Sequence, residues 1–395
     1  MRRDVANSKT RAVGHLKDLG SGRWLVRVSL GTDAKGRRVR YEKTVHGKKA
    51  DAQRHLRCVL QRRDQGLPGK LSRDTLGEWS AEWLDKWCSR IAPRTKADYT
   101  VLFDRLFRYE PQLGGRRLAD LTADEFQGVV RRLEERGLAP RTIQMHHGVL
   151  RACLNKALKL GKVALNAATL VELPRKQRFE RPFLTPAQAL RFLDVAESQG
   201  NRFYPLFAVL LLTGIRPGEA LALRWDDIEG SSLRVRRALV WIAGRKPFLD
   251  ETKTRRARTV ALGERVLKAL ERQRRAQAEL RLLLGGAYED RGLVFASETG
   301  APLSAQNVSS RYFKPLLTAA GLPDVRLYDL RHSHATLLLA AGEHPKVVQE
   351  RLGHATITLT LDTYSHVVPG MQERAAERLD ALLASARLSE APLSA

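Results

Sequence analysis

The chain has 395 residues, 69 Lys+Arg against 43 Asp+Glu, a formal net charge of +26 and 43% hydrophobic residues. An apolar fraction of that size excludes a wholly disordered or collagen-like chain, and the length suits two or three domains. The longest apolar stretch, from Tyr204 to Leu212, is about half of the ~20 residues that a membrane-spanning helix needs, so no membrane partner is expected.

The opening Met1-Arg2-Arg3-Asp4 leads into no apolar run, which argues against a secretory leader. Cys58, Cys88 and Cys153 stand far apart and in no CxxC pair. Neither a disulfide framework nor a cysteine zinc site is expected, and a reducing cytoplasm is the natural home. The charge is uneven: residues 1–70 hold 19 Lys+Arg and 6 Asp+Glu, half of the surplus in under a fifth of the chain. That concentration points to a polyanion, with nucleic acid ahead of a surface charged only for solubility.

In chain order, residues 1–70 read as a small α+β module. Trp24 to Leu30 and Val39 to Val45 alternate apolar and polar residues as half-buried strands do, with a turn at residues 32–36 and a basic helix over 49–63. Arg27, Arg37, Arg38 and Arg40 then project from a sheet suited to a DNA groove, where phosphate contacts dominate affinity. Residues 71–173 read as a bundle of four helices. Thr75 precedes an apolar pattern at Leu76, Trp79, Trp83 and Trp87, and Thr95 with Asp98 predicts a capping box before Tyr99 and Leu102. A third helix carries Phe126, Val129, Val130 and Leu133, and a fourth starts at Pro140. The segments Ala92-Pro93-Arg94-Thr95 and Ala139-Pro140-Arg141-Thr142 match and read as two similar helix starts, with Arg94 and Arg141 as candidate DNA contacts. A basic linker, residues 174–182, precedes a mostly helical part, 183–395, interrupted by a β-rich stretch from Leu233 to Leu262. The fold class is therefore mainly α with small β-sheets.

The chemistry concentrates in that last part. In Thr213-Gly214-Ile215-Arg216-Pro217-Gly218-Glu219, Gly214 ends an apolar helix and Pro217 takes a first helical position, so Arg216 stands at a helix start, where an anion is favoured. Leu327-Tyr328-Asp329-Leu330-Arg331-His332-Ser333-His334 places a second arginine at another helix start. Leu352-Gly353-His354 follows, and ten residues beyond that histidine comes Tyr364. Read singly, each piece is ordinary: a phosphate-touching or solvated arginine, a packed histidine, a half-buried aromatic.

Taken together, in order and spacing, these segments resemble the tyrosine recombinase (phage integrase) family over the whole C-terminal half. The likeness extends more weakly to a helical core-binding domain and to an N-terminal arm-binding domain of the three-stranded kind. The resemblance implies that Arg216 and Arg331 grip the scissile phosphate, with Glu219 bracing the first of them. It implies that Lys253, in a basic β-turn, protonates the leaving 5′ oxygen, with Lys246 as the alternative. His354 would hydrogen-bond the phosphate and Tyr364 would be the nucleophile. Arg255 and Arg256, beside that lysine, join the candidate DNA contacts. One position departs from the pattern: Tyr328 stands where a histidine or lysine is usual, and a phenol offers a hydrogen bond but no positive charge near neutrality.

By the same resemblance the enzyme would need neither metal nor nucleotide cofactor. Its partner would be double-stranded DNA attachment sites, bound by a homotetramer, with an excisionase or a host DNA-bending factor as accessory. It would act on the nucleoid in a bacterial cytoplasm. The arm-type module favours integration and excision of a mobile element over a Xer-like resolvase. The apolar pattern at Ala375, Leu379, Leu382 and Leu383 predicts an amphipathic helix, which packs on its own domain or, by resemblance, docks on a neighbouring subunit. Three rivals stand beside this reading. A metal nuclease could use Glu219, Asp226 and Asp227, although adjacent aspartates do not share a helix face. A type IB topoisomerase would share the arginine–tyrosine chemistry. A DNA-binding regulator would have lost it, and Tyr328 nudges that way.

Overall fold

The structure is a computed structural model and describes residues 14–32, 38–64, 72–175, 182–251 and 257–364, with six helical residues between 376 and 383. The chain divides into two compact units, Met1–Arg178 and Phe179–Ala395.

In the first unit, β1 (His15–Asp18), β2 (Arg23–Thr32) and β3 (Arg38–His46) form an antiparallel sheet in that order, followed by helix α1 (Lys49–Asp64). The alternation works as a strand's should: Val26 and Val28 of β2 and Tyr41 of β3 are buried with Ala52 and Val59 of α1. The open face takes the intervening residues. There Arg27 lies opposite Glu42 in register and pairs with it at 2.9 Å, while Arg40 lies opposite Ser29 and Arg38 opposite Thr32. Sequence alternation alone gave two strands. The third, β1, is four residues long and pairs His15 with Arg27 through Asp18 with Trp24, too short for a period-two signal to stand out.

The helical part of this unit holds α2 (Leu76–Glu82), α3 (Pro93–Tyr109), α4 (Ala123–Glu135) and α5 (Pro140–Lys159). Thr75 and Glu78 cap α2 reciprocally, and α2 runs on into a wider turn over Trp83–Trp87. The capping box expected at Thr95 and Asp98 does not form. Helix α3 begins earlier, at Pro93, without a side-chain cap, and Asp98 instead pairs with Arg94 at 3.0 Å. Proline explains this: its fixed φ suits the first helical position, and it has no N–H to satisfy. Helix α5 starts in the same way, with Ala139 before Pro140. The core is built around Trp79, Phe103, Phe126, Leu133, Ile143 and Leu154, and the buried Trp79 indole N–H donates to the Cys153 carbonyl at 3.2 Å.

The second unit runs through α6 (Pro186–Ser198), α7 (Tyr204–Thr213) and α8 (Pro217–Ala220), then five short strands: β4 (Ile228–Glu229), β5 (Ser232–Val235), β6 (Arg237–Val240), β7 (Phe248–Glu251) and β8 (Arg258–Ala261). Strands β4, β5 and β8 form one sheet, and β6 with β7 another. Helices α9 (Glu264–Leu284), α10 (Ala305–Val308), α11 (Lys314–Ala319), α12 (Asp329–Ala340), α13 (Pro345–Leu352) and α14 (Ile357–Tyr364) complete it. The apolar run at 204–212 is the central core helix α7, buried on nearly every side and packed through Phe207 against Phe192 and Phe313. Among the described residues no helix is long and apolar enough to cross a membrane.

Candidate active site

Gly214 caps α7 with φ +68°, and a side chain there would meet neighbours at once: a Cβ would lie 2.4 Å from His334 Cδ2 and 2.9 Å from Leu352 Cδ2. This close approach lets the Arg331 guanidinium reach the ends of two helices. Nη1 donates to the Gly214 carbonyl and Nη2 to the Leu352 carbonyl, both at 2.7 Å. Helix-terminal carbonyls lack intrahelical partners and carry partial negative charge, so a cation is well placed there. Arg331 is only 1% exposed. Burial, and then the charge of Arg216, pull its pKa down to about 10.

Glu219, in the single turn of α8, is also 1% exposed and has two guanidinium partners. It accepts from the Arg216 backbone N–H at 2.9 Å and from Arg216 Nη1 at 2.7 Å. Arg258 holds both of its oxygens, Nη1 at 3.1 Å and Nη2 at 2.6 Å. Burial alone would raise the carboxyl's pKa. Hydrogen bonds and charge from Arg258, with the charge of Arg216, outweigh burial and hold it at about 2. Arg216 is the N-cap of α8 with Pro217 as its first residue, as the sequence predicts, but the anion-favouring dipole expected there is short. Helix α8 has four residues, so the field that favours an anion comes from the guanidinium groups and not from a helix dipole.

The turn after α13 brings in His354, which follows Gly353 at φ +66°. Its Nδ1 lies 2.8 Å from the Thr360 hydroxyl, one turn before Tyr364 on α14. Burial first, then the charges of Arg331, Arg216, His332 and Arg258, push the imidazole down to about 4, so it is neutral at pH 7. Three guanidinium groups thus share one field with a single carboxylate, an excess of positive charge that suits a dianionic or monoanionic phosphate group.

Tyr328 precedes α12 and is 40% exposed, its ring 5.6 Å from that of His332. His332 is buried, with Nε2 4.0 Å from the Asp329 carboxylate, and Asp329 is itself gripped by Arg326 through Nε and Nη2. His334 turns into the core: its Nδ1 lies 3.0 Å from the Leu211 carbonyl, and burial drives its pKa to about 3. His344 accepts from the Lys346 N–H at the start of α13. The nuclease rival loses its ligands, since buried Asp227 pairs with Arg236 at 2.6 Å and Arg237 at 2.8 Å. Among the described residues no group of three or more His, Cys, Asp or Glu could hold a metal ion.

The structure therefore brings together Arg216, Glu219, Arg331 and His354. Lys253, Arg255 and Arg256 lie outside the described residues, between β7 and β8, as does Arg37 between β2 and β3. Tyr364 is the last residue of α14, and its side chain lies outside the described set. Lys246 is exposed in the β6–β7 loop. In the first unit, Arg27, Arg38, Arg40, Arg94 and Arg141 are all exposed. Sequence reasoning missed Arg258. Its position at the head of β8 was visible, just beyond the basic run, but no linear pattern announces a fork folded back 39 residues onto Glu219.

Residues 182–370 match the model of the phage integrase family. An integrase of Streptomyces ambofaciens is 31% identical over 91% of this chain and 94% of its own length. A XerC-like tyrosine recombinase of Caldanaerobacter subterraneus subsp. tengcongensis is 28% identical over 92% and 97% respectively. Among solved structures, the Tn1549 transposon integrase in complex with a circular intermediate DNA superposes with a TM-score of 0.64 at 23% identity, covering 78% of this chain and 99% of that one.

Proposed function

The chain belongs to the phage integrase family of tyrosine recombinases, a site-specific DNA recombinase of mobile elements, and from that premise we propose how its residues carry the reaction. The Tyr364 hydroxyl gives up its proton to solvent as its oxygen attacks a backbone phosphorus. The new O–P bond replaces the bond to the 5′ oxygen, leaving a 3′ phosphotyrosine and a free 5′ hydroxyl. Lys253 gives the leaving oxygen its proton. Because one phosphodiester replaces another, the link keeps its energy, and a second 5′ hydroxyl reverses the step with no nucleotide consumed.

Negative charge gathers on the nonbridging oxygens during attack, and preorganised donors aimed there lower the barrier. Arg216 and Arg331 supply guanidinium forks, and neutral His354 donates a hydrogen bond. Glu219 anchors the first fork through one hydrogen bond from Nη1 and holds the Arg216 backbone through a second from its N–H. Tyr328 contributes a hydrogen bond at most, since a phenol carries no positive charge near neutrality. The observation that carries this reading is the field of three guanidinium groups, Arg216, Arg258 and Arg331, about one buried carboxylate, with neutral His354 beside them.

DNA is the partner. The open face of the N-terminal sheet, with Arg27, Arg38 and Arg40, reads as an arm-site surface, and the helical part of the first unit as a core-site binder. Leu379 and Leu383 lie four residues apart among helical residues, 56% and 58% exposed. By family likeness they dock on a neighbouring subunit in a tetramer. Likeness to an integrase over 91% of the chain favours integration and excision over resolution. A nicked suicide substrate tests the reaction: the wild-type chain should trap a covalent protein–DNA complex that Tyr364→Phe does not form. A complex that persists in that variant overturns the assignment.

A further inference from the structure

The Arg258 side chain makes three hydrogen bonds at the site. Its backbone is registered opposite Val235 in the β4–β5–β8 sheet, so its Cα is held by strand pairing. Its Nε donates to the Arg351 carbonyl at 2.9 Å, and its two terminal nitrogens take both oxygens of Glu219. Gly353 leaves room for the stem: a Cβ there would lie 2.9 Å from Arg258 Cδ and 3.1 Å from Nε. One side chain thus ties three segments, the strand after the Lys253 loop, the Arg216–Glu219 turn, and the turn that carries His354.

We propose that Arg258 is a positioning residue for strand cleavage, which clamps the Glu219 carboxylate so that Arg216 presents its fork to the scissile phosphate. The proposal rests on the reading of Arg216 and Tyr364 given above. Arg216 spends only Nη1 on Glu219, and a guanidinium has five N–H donors. Arg258, by contrast, commits both terminal nitrogens to the carboxylate. The division of labour follows: Arg258 saturates the carboxylate, and Arg216 keeps the rest of its fork for the substrate. Without Arg258, burial would dominate at Glu219, the carboxyl would hold its proton more readily, and Arg216 would lose its anchor.

The test uses the full-length chain on the suicide substrate, with single-turnover formation of the covalent complex as readout. R258Q should slow cleavage about 100-fold, the cost of displacing a positioned group, while retaining DNA affinity. R258K should fall between, because an ammonium is a point charge without the fork. Wild-type cleavage should show no loss from Glu219 protonation above pH 5. R258Q should decline as pH falls toward 5, because protonating Glu219 frees Arg216. R258Q combined with E219Q should be no slower than the slower single variant, since the two residues act as one unit. Where R258Q does not bind DNA, R258K carries the test with the same pH comparison.

Wild-type rates in R258Q overturn the proposal. So do equal losses in R258Q and R258K with an unchanged pH profile, which would leave a role in packing alone. Tyr364→Phe separates this failure from that of the underlying reading. A covalent complex in that variant removes the nucleophile, whereas a clean loss there beside normal R258Q removes only the clamp.

Discussion

Arg331 Nη1 donates to the carbonyl of Gly214 at 2.7 Å across 117 residues of chain, joining the start of α12 to the end of α7. The contact needs Gly214 to be glycine twice over, for its φ of +68° and for the 2.4 Å that a Cβ would leave to His334. The relationship between these two residues sets the first expectation.

Gly214→Ala should destabilise the chain by about 3 kcal/mol or more, because left-handed strain of ~1–3 kcal/mol adds to a clash inside a packed core. Gly200→Ala shares the strain, at φ +63°, but faces open space, and should cost about 1 kcal/mol. Denaturant midpoints of the two variants check the ranking. Equal losses would mean that the neighbours of Gly214 yield freely.

Glu219→Gln should cost about 3 kcal/mol, since it leaves buried Arg258 beside a neutral amide. It should also slow covalent-complex formation while DNA binding persists. Thermal unfolding and the suicide substrate measure the two effects separately, and a stable but inactive variant would confine Glu219 to catalysis.

Acid should weaken the free protein before its carboxylates titrate. His354 and His334 are held at about 4 and about 3, below the ordinary histidine value of 6.5. Between those values and 6.5 the unfolded chain binds more protons than the folded one, so stability is full above about pH 6.5 and falls as pH drops toward 4. Glu219, at about 2, adds a second loss below its ordinary value of 4.5. Melting temperatures from pH 8 to 4 should therefore be level and then decline, and a flat profile would contradict the burial of both rings.

On the N-terminal sheet, Arg27→Ala removes a cation and leaves its cross-strand partner Glu42 as an unopposed anion. Binding to duplex DNA should weaken, and the slope of log K against log salt should fall by about 0.9 if one phosphate contact is lost. Glu42→Gln should move affinity the other way. An unchanged salt slope in Arg27→Ala would take this face out of the DNA interface.

The sequence announced some of this architecture because certain residues act locally. Pro93 and Pro140 declare helix starts by their fixed φ, and Gly214 declares the end of the apolar helix at 204–212. The spacing of Arg216, Arg331 and His354 was legible as a set, though not as a geometry. Other features depend on distant partners. Thr95 looked like a cap until the proline two residues earlier took its place, and β1 exists only through its pairing with β2. Arg258 has no local signature, because its function is a contact with Glu219, from an earlier turn, and with Arg351, from a later one.

The Leu352 carbonyl that completes the Arg331 bracket enters only near the end of the chain. A chain cut before that residue would lack one of the two carbonyls that hold the Arg331 guanidinium, together with the turn that carries His354, and so would have no finished cradle for a phosphate.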